Sequence, residues 1–213
     1  MAARLTRAQK KAETRSSLLE AAAKVFARRG MQQASIDEVA EHAGFTKGAF
    51  YANFESKEEL FLAMLDDRFA KHLEEIDRVL ASDAEPEDQA RAGAANFVDF
   101  ISSDPEWERL FFEFSAYASR NEKFRTELAA RRRHLQERMA ELYRRRAEQL
   151  GVEPPFPFED MSRMTFAMAD GIALQKLLDP ESVSGDLYPT MLATFFAGVR
   201  AAVEQEDAAT PAG

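Results

Sequence analysis

A chain of 213 residues with 46% hydrophobic content is too apolar for a disordered protein and large enough for one or two domains with a sizeable core. Its lack of cysteine excludes disulfides, thiolate metal sites and a cysteine nucleophile. The net charge of −9 argues at first against a nucleic-acid partner, but nine Lys and Arg against five Asp and Glu fall between Met1 and Phe54, a surplus of four positive charges, leaving thirteen net negative charges for the rest.

The N-terminal run MAARLTRAQKKAETR has no apolar core of a signal peptide. The longest weakly polar stretch, Leu187 to Val199, is too short to span a bilayer as a helix, so a soluble protein with no membrane partner is expected, and the lack of cysteine is compatible with the expected cytoplasmic location. Arg4, Arg7, Lys10, Lys11 and Arg15 precede or open the first helix, where a mobile cationic arm could follow a phosphate backbone or enter a minor groove. Read blandly, the same run is a solvated terminus. The first helix is expected from about Glu13 to Arg29, burying Leu18, Leu19, Ala22, Val25 and Phe26 before Gly30 stops it.

Ser35 can cap a second helix whose apolar residues Ile36, Val39, Ala40 and Ala43 form one stripe. Gly44 is placed to end it in a left-handed conformation, and Thr46 can cap a third helix after a very short turn. Helices joined so tightly cross steeply. Phe50 and Phe54 point inward from the third helix, leaving Thr46, Lys47, Gly48, Ala49, Tyr51 and Asn53 outside. A helix entering a major groove needs small residues at base edges and cationic or hydroxyl donors at phosphates, which is the composition of that outer face. Ser56 and Glu59 form an S-x-x-E capping box opening a fourth helix, with Lys57 placed to hold a phosphate.

The run from Thr14 to Leu65 resembles the N-terminal domain of the TetR/AcrR family of transcriptional regulators. The resemblance rests on Phe26 and Gly30, on I-x-x-V-A at Ile36 to Ala40, on A-G-F-T-K-G at Ala43 to Gly48, and on F-Y-x-x-F-x-S-K-E-E-L at Phe50 to Leu60. Asn53 stands where many members carry His; it still donates to a phosphate or base edge, so the substitution bears on operator sequence more than on binding. The expected DNA-binding residues are Arg15, Ser35, Thr46, Lys47, Gly48, Ala49, Tyr51, Asn53 and Lys57.

Beyond Leu60 the pattern stays helical, with no alternating β-branched run. Phe61, Met64, Leu65, Phe69, Leu73, Ile76 and Leu80 carry one stripe along a lever helix of about 57–80. Acidic ASDAEPEDQ, Ala81 to Gln89, marks a loop and helix start, followed by a helix bearing Ala90, Ala94, Phe97, Val98 and Ile101. Asp104 and Pro105 open the next, with an aromatic face of Trp107, Leu110, Phe111, Phe114 and Ala118. A long helix from Glu122 to Leu150 buries Phe124, Leu128, Leu135, Met139 and Leu142; its arginines at 131–133 and 144–146 interleave with Glu127, Glu137, Glu141 and Glu148, which favours a solvated ion-pair face over a DNA contact.

The helix from Asp160 to Leu178 is apolar nearly all round, and the last, Leu187 to Glu204, repeats a strong apolar face. The last helix has few chain neighbours left to cover it, so a partner subunit is expected, a two-fold four-helix contact through Leu174, Met191, Leu192, Phe195, Phe196 and Val199; the resemblance implies the same homodimer. Soft Met161, Met164 and Met168 near Thr165 could line an apolar ligand pocket or simply fill a core. The resemblance implies an effector cavity in this region, for which Phe69, Phe97, Ile101, Trp107, Phe111, Phe114, Met139 and Asp170 are further candidates. Asp170 and Gly171 inside an apolar helix fit either a polar ligand contact or a close helix approach.

An enzyme is disfavoured: His42, His72 and His134 lack a second ligand at metal spacing, and no nucleotide or hydrolase glycine motif occurs. No cofactor or metal is expected. The expected architecture is all-α, with an N-terminal helix-turn-helix DNA-binding domain over 1–56, a helical effector-binding and dimerisation domain over 57–206 and a disordered tail at 207–213. The expected function is a dimeric repressor on a near-palindromic operator, released by a small apolar or amphipathic effector. A ligand-binding dimer without operator binding is the alternative.

Overall fold

Capping decides where the first helix begins. In the computed structural model, which describes residues 6–82 and 84–209 and the side chains among them except at 86, 87, 100, 101, 103 and 206–209, Thr6 closes a reciprocal capping box with Gln9. Helix α1 therefore runs Arg7–Arg29, about two turns longer at its start than the Glu13 boundary expected. Arg7, Lys10, Lys11 and Arg15 lie on a helix, while Arg4 lies outside the described residues. The described residues then form α2 (Ile36–His42), α3 (Lys47–Tyr51), α4 (Lys57–Leu80), α5 (Pro86–Ser103), α6 (Pro105–Ala118), α7 (Glu122–Leu150), α8 (Phe158–Leu178) and α9 (Leu187–Ala209), with no strand among them. Helix α9 outlasts the expected end at Glu204, and 210–213 lie outside the described residues.

The chain divides into two compact units, and the division departs from the expected boundary at 56. The first gathers Met1–Arg68 with Arg109–Leu128. Its core is apolar and closed: Leu18, Val25 and Phe26 of α1, Val39 of α2, Phe50 of α3 and Leu60, Phe61, Leu62 and Leu65 of α4 are all essentially inaccessible. Most of α6 belongs here for three physical reasons, and the start of α7 follows through Phe124, whose ring centroid lies 5.9 Å from that of Tyr117. The Phe114 ring stacks on Phe61 with centroids 4.5 Å apart, the Tyr117 hydroxyl donates to Glu58 at 3.4 Å, and the Glu113 carboxylate accepts from the Gln32 amide at 3.2 Å. Glu113 also lies over Gly30, where φ is +76° and a Cβ would meet the carboxylate at 3.2 Å.

Phe111 and Phe114, both candidates for the effector cavity, lie in the first unit, and Phe114 is wholly buried in its aromatic core. Periodicity marks a residue as buried but does not say in which core.

The second unit gathers Phe69–Glu108 with Ala129–Gly213. Helix α5 packs along α9, and α8 contacts α9 as well. Small Ala90 and Ala94 on α5 and Ala193 on α9 are buried, which lets backbones approach closely. Helix α7 contributes Leu135, Met139 and Leu142, and α8 contributes Met161, Ala169, Ile172 and Ala173. The α7 arginines are tied by ion pairs and hydrogen bonds, Arg144 to Glu141 and Glu159, Arg145 to Asp77 and Arg146 to Gln89, in keeping with a solvated face. No described helix is long and apolar enough to cross a membrane.

Phe114→Ala should lower stability by about 3–5 kcal/mol, the cost of emptying a buried aromatic site. Urea denaturation measures it; a loss under ~1 kcal/mol would return Phe114 to the side chains free to face a ligand.

Candidate nucleic-acid interface

Helix α2 is held at both ends by its own sequence. Ser35 accepts from the Glu38 amide at 3.1 Å while the Glu38 carboxylate accepts from the Ser35 amide at 3.0 Å. That backbone donor is the main reason the Glu38 carboxyl stays below the usual range, with Arg29 adding an ion pair at 2.8 Å. At the other end Gly44 takes φ +74°, the Gly44 amide donates to Glu41 at 3.0 Å and the Phe45 amide to Ala40 at 2.8 Å. This paired 5→2 and 6→1 closure turns the chain within two residues. Thr46 then caps α3, its hydroxyl accepting from the Ala49 amide at 3.2 Å.

With Phe50 and Phe54 buried, α3 presents Thr46, Lys47, Gly48 and Tyr51 to solvent. Tyr51 is 52% exposed although its ring packs edge-on against Phe50 at 5.6 Å. Ala49 is half-buried, and Gly48 and Thr46 leave the start of the helix slim enough for close approach to another surface. Lys47 reaches Asp37 of α2 at 3.0 Å, and that hydrogen bond raises its affinity for its proton.

Besides Thr46 and Lys47, four more expected contact residues have internal partners. Ser35 is occupied by its capping box. The Arg15 guanidinium lies 4.3 Å above the Phe54 ring and reaches the Asn53 carbonyl at 3.4 Å, tying α1 to the end of α3. Asn53 folds its amide back on the Ala49 carbonyl at 2.9 Å, and its Oδ1 is buried with no hydrogen-bond partner among the described residues. Lys57 departs furthest from the phosphate role expected: its ammonium donates to the Gln32 carbonyl at 2.7 Å and the Ala34 carbonyl at 3.2 Å, so two of its three N–H bonds clamp the α1–α2 loop. The Ser56 box is also half of that expected. Ser56 caps the Glu59 amide, but the Glu59 carboxylate turns to the Glu55 amide. Asp37 is absent from the expected contact set; its place in the first turn of α2, ten residues before Lys47, is the sequence signal that marks it.

The second unit holds most of the expected ligand residues at differing depths. Trp107, Met139, Met161 and Thr165 are buried, Phe69, Phe97 and Met168 half-buried, and the Ile101 side chain lies outside those described. Met164 is 43% exposed and faces outward, so it does not line an interior pocket. Asp170 pairs with Arg132 of α7, which accounts for an acid on an apolar helix without a ligand. A polar chain absent from the expected set runs through this interior. The Tyr143 hydroxyl donates to Thr165 at 3.1 Å, Thr165 donates to the Ser162 carbonyl at 2.9 Å, and Tyr188 approaches the Thr165 carbonyl at 3.5 Å. Burial pushes the Tyr143 phenol up to about 12 and Tyr188 upward too, so both stay neutral donors. Phe97 lies against Tyr188 with centroids 5.2 Å apart.

Among the expected dimer residues, Leu174 is 41% exposed, Met191, Phe195, Phe196 and Val199 are half-buried, and Leu192 is buried in its own chain. Leu192 therefore packs mainly within its own chain.

Residues 18–64 match the family described as bacterial regulatory proteins, tetR family, and residues 86–201, over half of the chain, match the C-terminal domain of BetI-type transcriptional repressors. The transcriptional activator FasR of Mycolicibacterium smegmatis is 38% identical over 101 residues, which is 47% of this chain and 46% of FasR, so the chain spans less than half of that relative. The uncharacterized regulator YfiR of Bacillus subtilis is 28% identical over 168 residues, 76% of this chain and 79% of YfiR. A solved TetR-family regulator from Rhodococcus sp. shares the fold with a TM-score of 0.74 at 20% identity, covering 88% of this chain and 98% of its own. Helices, head geometry and both matched regions agree: the chain belongs to the tetR family of bacterial transcriptional regulators, proteins that regulate transcription and are not enzymes.

Proposed function

We propose that this regulator binds a near-palindromic operator as a homodimer through the α2–α3 faces, acts as a repressor, and releases DNA when a small apolar or amphipathic effector enters the second unit. The observation that carries the DNA contact is the outer face of α3, where Thr46, Lys47, Gly48 and Tyr51 are exposed on a helix capped at its start. Small residues and a hydroxyl suit base edges, and Lys47 suits phosphate. Two such helices must fall about 34–36 Å apart to enter successive major grooves on one side of a duplex.

The dimer is supported by an unpaired apolar stripe. Met164, Leu174 and Leu178 are 43%, 41% and 76% exposed, and with Gly171 they recur at helical spacing along one side of α8. Leu187, at the start of α9, adds another exposed apolar side chain. The effector reading draws on the mixed character of the second interior: Met139, Met161 and Trp107 offer soft apolar surface, while Tyr143, Thr165 and Tyr188 offer hydroxyls to a polar group. An effector that binds better to a conformer in which α4 has swung lowers operator affinity by the ratio of its affinities for the two conformers. Absence of a membrane-crossing helix among the described residues accords with a cytoplasmic regulator.

The full-length protein should retain its own promoter region in a mobility-shift assay, more weakly at higher salt. Lys47→Met should weaken binding and lower the slope of log affinity against log salt by about 0.9, the loss of one phosphate contact; an unchanged slope would remove Lys47 from the DNA contacts. For the dimer, Leu174→Glu combined with Leu178→Glu should shift sedimentation from dimer to monomer, and a wild-type monomer at micromolar concentration would end the dimer reading.

A further inference from the structure

Lys47 is not a free cation. Its ammonium is 3.0 Å from the Asp37 carboxylate, and both side chains remain open to water, 55% and 64% exposed. The pair lies beside exposed Thr46, Gly48 and Tyr51. A phosphate approaching that face meets a lysine already neutralised by an acceptor of its own charge. Binding can recruit Lys47 only by opening the pair or by seating the phosphate against a carboxylate, and both reduce the gain from counterion release.

The neighbouring acid behaves differently. Glu38 also holds a cation, Arg29 at 2.8 Å, but it is fixed by the amide and hydroxyl of Ser35 and cannot leave without undoing the cap of α2. Asp37 makes no cap bond: among the described residues its hydrogen-bond partner is Lys47. Its charge suits the first turn of α2, but its carboxylate points to Lys47 and is not tied to the backbone as Glu38 is.

We propose that Asp37 is an internal stand-in for a DNA phosphate, occupying Lys47 in the free head and so restraining its affinity for duplex DNA of any sequence. The proposal rests on the reading that the α2–α3 face binds DNA. Such a brake suits a protein that must be released: an effector typically changes affinity only about 5–150-fold, so operator binding far tighter than the working concentration would lie beyond its reach.

The test measures affinity of the full-length protein for its own promoter duplex and for a scrambled duplex across a salt series. Asp37→Asn, which keeps an acceptor and removes the charge, and Asp37→Ala, which removes both, should each tighten both duplexes about five- to tenfold near ~0.1 M salt. In a Lys47→Gln background Asp37→Asn should gain less than in the wild type, because only the repulsion of the bare carboxylate is then relieved. Thermal melting of each variant checks that the head is folded. Unchanged affinity in both folded variants, weaker binding by Asp37→Ala, or an equal gain in the Lys47→Gln background would overturn the proposal. A wild-type protein that retains neither duplex at low salt would overturn the DNA reading itself, which separates the two failures.

Discussion

The reading head depends on a turn that only one backbone conformation closes. Between the last residue of α2 and the first of α3 lie four positions, and Gly44 at φ +74° lets the Phe45 amide return to Ala40 while Thr46 is already placed to cap α3. A side chain at 44 would have space, since nothing lies within 4 Å of where its Cβ would sit, but it would meet the steric cost of the left-handed region. That cost, and not crowding, makes glycine the fitting residue. The turn angle then determines that Phe50 and Phe54 enter the core and Thr46, Lys47 and Tyr51 do not.

Around this turn the first unit directs its long polar side chains onto itself. Arg15 bridges α1 to the end of α3, Lys57 ties the α1–α2 loop to the start of α4, and Glu113 accepts from the Gln32 amide in the same loop. Each replaces a mobile side chain by a positioned one, with a loss of rotamer freedom. The stiffening suits a surface that must hold its exposed side chains in a fixed arrangement. With Arg15 and Lys57 already committed, the DNA contact proposed for this face draws on Lys47, which Asp37 holds.

The second unit uses polar groups otherwise. Tyr143, Thr165 and Tyr188 place hydroxyls among Phe, Met and Ala side chains, and each finds an acceptor, so none carries the cost of an unsatisfied buried group. The Arg132–Asp170 pair likewise neutralises the acid that interrupts α8. What stays uncovered is apolar: the outer stripe of Met164, Leu174 and Leu178 on a helix whose opposite side is buried.

Much of this is legible in residue order because it is local. Ser35, Gly44 and Thr46 act through backbone groups within five residues, and the apolar stripes of α2, α4 and α6 follow from helical period alone, so helices, caps and the inward set of the head can be read directly. The tetR family motif is composed of the same local signals. Tertiary structure decided what depends on distant partners. It assigned Phe114 to Phe61 and so moved most of α6 into the first unit, turned Lys57 onto carbonyls more than twenty residues away, gave Asp170 to Arg132, and sent Met164 outward and Leu192 inward. Period tells that a side chain is on the buried or open side of its own helix, whereas its partner is chosen by which other helix arrives there, a property of packing that no local pattern encodes.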